Sequence, residues 1–370
     1  DDSQLSFVRP DILMLNQTVQ KRFYIDNTSD STYARIEIPP DNMGEAEYGR
    51  RKTVSLKAGG AATRPFMERM ARVELGPRPP HQLFRTLGLS PSLDLAEELG
   101  FPRTQEGLDA FGEFYSQITH MDEVDPIAYY RKMMPLVDHY AKQLRKFHTI
   151  HVQTDNGKTN VTFSIRDKGE KESRYVASST ITGNALPGEV FTSPVEDSVN
   201  GEVYFDLPFV LDNIVFKGLT LTFKDGQIIN VNVDEGDLEH LQGRILGIGP
   251  KADLKVDNFD RLGEFAIGFN RKITQLMNGR AVTNTLISEK QDLHFAIGDG
   301  YPNTGGKNKC DLHVDIPVNS GPGSELMISG LHDSSDKYHM PIYREGKFFN
   351  DFLDFDTDFN WREYGDIKWD

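Results

Sequence analysis

Three short segments share one apolar frame, and they constrain the fold more than any other feature of the sequence. EFAIG occupies residues 264–268, HFAIG occupies 294–298, and LHVDI occupies 312–316. Alternate side chains of a β-strand project to opposite faces. Each segment therefore predicts a strand with one aliphatic or aromatic face and an opposite face that carries an ionisable residue.

The polar faces of these predicted strands carry Glu264, His294, and the pair His313 and Asp315. In the first two strands the other residues of that face are alanine and glycine, which leave room for a ligand or a metal ion. His313 and Asp315 are two residues apart, so their side chains project side by side at a spacing of roughly 6.5 Å. Imidazole and carboxylate together are ligands for zinc, manganese, iron or cobalt.

A His-x-Asp pair alone is more often structural than metal-binding, but three such frames together favour a shared site. Several carboxylates that converge on one cavity repel each other and become protonated unless a cation lies among them. A further acid, Glu189, follows turn residues in the segment GNALPGEVFTSP at 183–194. Taken alone, that glutamate is typical of an exposed turn.

The sequence of residues 86–148 predicts helices. In SPSLDLAEELG, Ser90 suits the N-cap of a short helix and Gly100 suits its end. Asp125 followed by Pro126 predicts the start of a longer helix. Its apolar residues fall at helical spacing and predict a face towards the core: Tyr130, Met133, Val137, Tyr140, Leu144 and Phe147.

From about residue 149 the pattern becomes that of a β protein. Asn156-Gly157 and Asp225-Gly226 each separate two alternating runs, which predicts two hairpins. A strand is also predicted at 10–16. We therefore expect an α+β or α/β protein, in which a reduced N-terminal α/β and helical region, residues 1–148, precedes a mainly β metal-binding catalytic domain, residues 149–370.

Composition excludes several classes of function. The formal net charge of −15 argues against a nucleic-acid partner, since phosphate binding requires clustered lysine and arginine. A single cysteine, Cys310, excludes an intramolecular disulfide and a four-cysteine zinc site, and it is compatible with a cytoplasmic location. The most apolar stretch, residues 205–216, is too short and too charged to cross a membrane, and no signal peptide is recognised.

Over roughly residues 125–350, the segments PGEVFTSP, LGEFAIG, HFAIGDGY and LHVDI occur in an order that resembles one enzyme family. They resemble the thermophilic metalloprotease family of metallo-aminopeptidases, of the aminopeptidase T and aminopeptidase S type. The resemblance implies hydrolysis of the N-terminal peptide bond of a peptide by water that two divalent ions activate. It also implies a homodimer, and the ions would be zinc, cobalt or manganese.

The same resemblance assigns roles to individual residues. It implies that the metal ligands are Glu189, Glu264, His294, His313 and Asp315, with Glu264 as a bridge between the two ions. Tyr301 matches the family's active-site tyrosine, and Glu289 matches an acidic position that would serve as a ligand or a proton carrier. We therefore treat Tyr301 and Glu289 as the candidate catalytic residues.

Two alternatives remain open from the sequence. The segment LHVDIPV also resembles the 2,5-dihydroxypyridine dioxygenases, which hold a single iron with two histidines and one carboxylate. Those enzymes place a histidine at the position of Glu264 and lack the acid at Glu189, so the two acids of this chain favour the peptidase. The second alternative is a non-catalytic descendant that only binds a ligand or a partner.

Overall fold

The computed structural model describes residues 92–179, 186–212, 214–277, 280–291, 293–318 and 325–332, together with short strands at 33–37, 83–87, 183–184, 340–344 and 347–348. The strand predicted at 10–16 lies outside these residues. Most of the predicted N-terminal α/β region lies outside them as well. The predicted domain boundary near 148 stays a prediction.

Seventeen strands are described. They are β1 (Tyr33–Glu37), β2 (Leu83–Leu87), β3 (Thr149–Thr154), β4 (Asn160–Ser164), β5 (Ala177–Ser179), β6 (Gly183–Asn184), β7 (Glu189–Thr192), β8 (Asn200–Phe205), β9 (Phe209–Leu211), β10 (Ile214–Lys224), β11 (Gln227–Glu235), β12 (Leu262–Gly268), β13 (Leu293–Gly298), β14 (His313–Val318), β15 (Leu326–Leu331), β16 (Met340–Arg344) and β17 (Lys347–Phe348).

The α-helices of the described residues are α1 (Leu93–Glu98), α2 (Gln105–Ile118), α3 (Pro126–Leu144), α4 (Leu238–Leu246), α5 (Arg271–Met277) and α6 (Thr285–Ser288). The same part of the chain contains two 3₁₀-helices, at Ala252–Leu254 and Pro302–Thr304. Within the described part of the chain, no helix is both long and apolar enough to cross a membrane. The protein is thus a mixed α and β structure, as the sequence predicts.

Two antiparallel sheets carry most of the structure. The larger runs in the order β11-β10-β8-β4-β3-β15-β16-β17, with β9 paired to β10. The smaller has five strands in the order β14-β13-β12-β7-β5, and it contains all three of the repeated sequence frames. The short strands β1, β2 and β6 form a separate parallel sheet.

The two large sheets pack face to face through aromatic side chains. Phe265 of β12 lies 5.0 Å from Phe163 of β4, measured between ring centroids, and Phe295 of β13 lies 6.3 Å from Phe205 of β8. All four rings are buried. The predicted alternation is confirmed, because the apolar faces of β12 and β13 turn towards the larger sheet and their acid and imidazole turn the other way.

Helix α3 forms as the sequence predicts. The Asp125 carboxylate caps its N-terminus by accepting a hydrogen bond of 2.9 Å from the amide of Ala128, and Pro126 occupies the first helical position. The six predicted apolar residues are buried and belong to the same hydrophobic core as the two large sheets, although the helix ends at Leu144, before Phe147. The helix therefore shares its core with the strands that follow it.

The start of α1 differs from the prediction. Its cap is Ser92, whose hydroxyl accepts a hydrogen bond of 3.1 Å from the amide of Leu95, and Ser90 is not the cap. The predicted end at Gly100 is confirmed, since this glycine has a φ of +85° just after the helix. The two serines are equally good caps by residue type, so the sequence alone did not distinguish them.

Candidate metal centre

The register of β12, β13 and β14 brings the three polar positions together. Glu264 pairs across the sheet with Ala296, and Ala296 pairs on its other side with Asp315. His294 is two residues from Ala296 on the same face, opposite Ala266. The small side chains of the two alanines leave the space that the carboxylates and the imidazole surround.

Hydrogen bonds to the backbone orient both histidines. The Nδ1 atom of His294 lies 3.1 Å from the carbonyl oxygen of Glu289, and Nδ1 of His313 lies 2.7 Å from that of Asp299. A carbonyl oxygen only accepts, so each Nδ1 carries a proton and donates it. In the neutral imidazole the Nε2 atom then has a free lone pair, which is the arrangement typical of metal-ligating histidines.

Both Nε2 atoms are directed at the same carboxylates. Nε2 of His294 is 3.8 Å from a Glu264 oxygen and 4.0 Å from an Asp315 oxygen. Nε2 of His313 is 3.0 Å from Glu264 and 3.1 Å from Asp315. Two ligand atoms that each lie about 2.1 Å from one ion are about 3–4 Å apart, so these spacings suit a shared ion.

One set of donors meets the requirement of a metal site within the described residues. The ligand atoms of Glu264, His294 and Asp315 all lie within 4.8 Å of one another. The Oδ1 atom of Asp315 is buried and has no hydrogen-bond partner of proper geometry. A buried carboxylate oxygen without a donor is costly, and a cation at this position removes the cost. These residues therefore fit a divalent ion.

The protonation behaviour of the cluster follows from burial and mutual attraction. Burial raises the pKa of Glu264, but hydrogen bonds from His294 and His313 outweigh it, and the pKa lies below its usual value. Burial lowers the pKa of His294, but the interaction with Glu264 reverses this and raises it to about 9. The imidazoles and the carboxylates thus stabilise each other's charged forms.

A second group of charges lies beside the first. Glu189 begins β7, and Glu289 follows directly after α6. The ammonium group of Lys290 contacts a Glu189 oxygen and lies 2.8 Å from an oxygen of Glu289. All three side chains are buried. Burial raises the pKa of Glu289 to about 7.

Tyr301 follows β13 in a loop that returns to β14. Its ring centroid lies 4.7 Å from that of His313 and 5.4 Å from that of Phe191. Burial, followed by the charges of Glu264 and the neighbouring acids, raises the pKa of its hydroxyl well above 10. The hydroxyl therefore stays protonated and is a hydrogen-bond donor next to the acid cluster.

A buried arginine holds this loop in place. Arg174 donates hydrogen bonds to Asp167, Glu196 and the carbonyl oxygens of residues 193 and 194. Glu196 in turn accepts from the amide of Lys307. Ser193 accepts a hydrogen bond of 3.2 Å from the amide of Tyr301 and contacts the hydroxyl of Thr304 at 2.9 Å. The loop that carries the tyrosine is thus attached to β7 and to Arg174.

The residues proposed from the sequence are all brought to one face of the five-stranded sheet. Glu264, His294, His313 and Asp315 form the compact cluster, and Glu189, Glu289 and Tyr301 border it. Sequence reasoning missed Lys290 and Arg174. The only signal for Lys290 in the sequence was its position four residues before His294. Nothing in the sequence pointed to Arg174.

Comparisons with known proteins agree with this picture. The profile of the thermophilic metalloprotease (M29) family matches residues 40–348. Aminopeptidase 2 of Geobacillus stearothermophilus is 27% identical over 283 residues, which are 66% of this chain and 60% of that protein. Aminopeptidase T of Thermus thermophilus is 24% identical over 265 residues, which are 67% of this chain and 61% of that protein.

The fold has a counterpart among solved structures. Wild-type AmpT from Thermus thermophilus superposes with a TM-score of 0.68 at 20% identity, covering 94% of this chain and 84% of that one. The matched segments span about 60% of the length of the aminopeptidases named above. The family profile covers most of the chain, and the resemblance predicted from the strand frames is confirmed: the chain belongs to the thermophilic metalloprotease (M29) family.

Proposed function

We propose that this protein is a metal-dependent aminopeptidase that hydrolyses the N-terminal peptide bond of a peptide. The observation that carries the proposal is the cluster of Glu264, His294 and Asp315, in which a backbone carbonyl directs the imidazole Nε2 towards two carboxylates. Family membership and the aminopeptidases among the relatives support the reaction class.

A divalent ion at this cluster would polarise the scissile carbonyl and lower the pKa of a nucleophilic water. Glu264, His294 and Asp315 would hold it, and His313 would contribute from its position beside both carboxylates. The backbone carbonyls of residues 289 and 299 fix the imidazoles, so the ligands are oriented before the ion binds.

The remaining steps fall to the surrounding side chains. The protonated Tyr301 hydroxyl, whose ring lies beside His313, would donate to the oxyanion that develops on the carbonyl. Glu289 is the candidate for carrying a proton towards the leaving amine, because its carboxyl group is buried at the edge of the cluster. The negative charges of four acids would attract the free α-ammonium group of a peptide: Glu189, Glu264, Glu289 and Asp315.

Other sequence-based predictions stay predictions. These are the two-ion form of the mechanism, in which Glu189 is a further ligand and Glu264 bridges the ions, the identity of the metal, the homodimer and the cytoplasmic location. The compact cluster supplies ligands for one ion within the described residues.

The proposal is tested by peptide hydrolysis with a matched substrate pair. The purified chain, reconstituted separately with zinc, cobalt or manganese, is expected to release the first residue of a peptide with a free N-terminus. It should leave the same peptide intact when that N-terminus is acetylated. A chelator should abolish the release, and added metal should restore it.

Two outcomes would replace the proposal. Oxygen uptake with a hydroxylated aromatic compound, together with one iron per chain, would favour the ring-cleaving dioxygenase. A folded, metal-loaded chain that hydrolyses no peptide from a library of varied first residues would favour the non-catalytic descendant.

A further inference from the structure

We propose that the ammonium group of Lys290 takes the place of the second metal ion, so that the chain holds one divalent ion and one built-in lysine cation. The inference rests on the metal site of the proposed function, but it concerns the number of ions and does not require peptidase activity. It departs from the two-ion centre that the family resemblance predicts.

The first observation is the position of the ammonium group. By the resemblance, the second ion would need Glu189 and the bridging Glu264, with Glu289 as a further acid beside Glu189. Lys290 Nζ contacts Glu189 directly and lies 2.8 Å from Glu289. A metal ion bound to carboxylates lies about 2.0–2.2 Å from their oxygens. An ion between these two acids would therefore occupy the volume that the ammonium group fills.

The second observation is that Lys290 is not a surface lysine that happens to reach inwards. Its side chain is 1% exposed, and those of Glu189 and Glu289 are 6% and 7% exposed. A lysine is almost never fully buried unless its charge is paired. Here the ammonium group is paired with two carboxylates, since it contacts Glu189 and lies 2.8 Å from Glu289.

The third observation is that the backbone holds the lysine where it is. The carbonyl oxygen of Lys290 accepts a hydrogen bond of 2.9 Å from the amide of Asn270. The backbone at residues 289 and 290 packs directly against Gly268 of β12, so closely that a Cβ at Gly268 would collide with it. The backbone of Lys290 is therefore fixed against β12.

The balance of charge supports one ion. The site contains the four carboxylates of Glu189, Glu264, Glu289 and Asp315. One divalent ion and Lys290 together supply three positive charges against them, whereas a second ion would bring the total to five. The added ion would also lie next to a buried ammonium group, where the repulsion between cations is weakly screened.

Metal content of the wild-type chain tests the inference without any mutation. The apo protein is dialysed against excess zinc, freed of unbound metal, and its zinc content is measured by mass spectrometry. We expect about one zinc per chain. Loading with Mn(II) provides a second measurement, because two ions at a shared centre give a magnetically coupled electron paramagnetic resonance spectrum and a single ion does not. Two zinc ions per chain, or a coupled manganese pair, would overturn the inference.

Variants of Lys290 separate its charge from its size. Lys290→Met removes the charge and keeps a long apolar side chain, so the two acids should take up a second ion and the zinc content should rise to about two. Lys290→Arg keeps the charge and should stay at about one. An unchanged zinc content in a folded Lys290→Met chain would overturn the inference. If that variant does not fold, the wild-type manganese spectrum still decides.

A further variant distinguishes this inference from the proposed function. His294→Ala should reduce the zinc content of the wild-type chain from one to none, which identifies the single ion with the compact cluster. A wild-type chain that binds one zinc and hydrolyses no peptide would end the proposed function and leave the inference standing. A chain that hydrolyses peptides with two zinc ions would do the reverse.

Discussion

Ala296 shows how single residues determine the geometry of the centre. It lies between Glu264 and Asp315 in the register of the sheet, and it is completely buried. A larger side chain at this position would fill the space into which both carboxylates project. The geometry of the site thus depends on a residue that is not itself a candidate ligand. In the segment HFAIG this alanine follows two residues after His294.

Glu264→Gln is the most direct test of a ligand. The variant keeps the size of the side chain and removes its charge, which both histidine Nε2 atoms contact. We expect peptidase activity to fall by at least ~100-fold, in line with the loss of a metal-site carboxylate, with little change in fold. The exposed acid Glu202 on β8 supplies the control, since Glu202→Gln should retain full activity. Full activity in Glu264→Gln would remove this residue from the mechanism.

Tyr301→Phe tests the proposed donor. The ring contacts with His313 and Phe191 would remain, and only the hydroxyl group would be lost. We expect kcat to fall by ~10²–10³ while KM and the midpoint of thermal unfolding stay close to wild type, since the donor acts on the oxyanion of the transition state. Tyr175, whose side chain is 53% exposed, provides the matched control as Tyr175→Phe. Equal kcat in the two variants would contradict the role of Tyr301.

The positions of the candidate ligands were predictable from the sequence because a strand has a period of two. Glu264, His294 and Asp315 alternate with apolar residues, so their common face followed once the three segments were recognised as strands. Lys290 was not predictable in this way. It lies in the turn between α6 and β13, and its burial between two acids depends on how that turn packs against β12.

At the scale of elements, turns with glycine determine which strands pair. Asp225 and Gly226 both have positive φ, of +48° and +80°, and they join β10 to β11 directly. The predicted hairpin at Asn156-Gly157 is also present, with a longer loop between β3 and β4. Both hairpins were predictable because the preference of these dipeptides for positive φ is local. The N-cap at Ser92 was not predictable, because Ser90 and Ser92 are equally suitable N-caps by residue type.

The two turn glycines differ in their surroundings, which gives a matched pair of variants. A Cβ at Gly226 would collide with the backbone of Glu196, whereas a Cβ at Gly157 would have no heavy atom within 4 Å. Gly157→Ala should therefore cost about 1–2 kcal/mol of unfolding free energy, from its positive φ alone. Gly226→Ala should cost about 1–3 kcal/mol more, from the collision. Denaturant unfolding measures both, and equal losses would show that the contact with Glu196 relaxes without cost.

At the scale of the whole molecule, the two large sheets bury their apolar faces against each other. The turn around residues 289–290 and the loop that follows β13 lie on the other, polar face of the five-stranded sheet. The sheet supplies the candidate ligands at fixed positions, and the loops supply Tyr301, Glu289 and Lys290. The sequence predicted the strands of this arrangement, but not the ion pairs that hold the loops, because those pairs join residues that are far apart in the chain.

The ion pairs of Arg174 join segments of the chain that are far apart in sequence. They predict how the free energy of unfolding responds to acid. Arg174 is buried and binds both Asp167 and Glu196, and Lys307 also binds Asp167. The hydrogen bond from Arg174, aided by Lys307 and opposed by burial, lowers the pKa of Asp167 to about 2. The usual pKa of an aspartate in an unfolded chain is about 3.9. The native state therefore holds this proton more weakly than the unfolded state does.

A lowered pKa stabilises the fold above the unfolded value, and the contribution is lost as the pH falls through the native value. The wild-type free energy of unfolding should thus decrease between about pH 4 and pH 2. Asp167→Asn removes the titrating group, and we expect its decrease over this range to be smaller by about 1 kcal/mol, since the partly accessible carboxylate is screened by solvent. Denaturant unfolding at a series of pH values checks this, with Asp257→Asn as an exposed control that should follow wild type. Parallel curves for wild type and Asp167→Asn would show that the charge of Asp167 adds no stability to the network around Arg174.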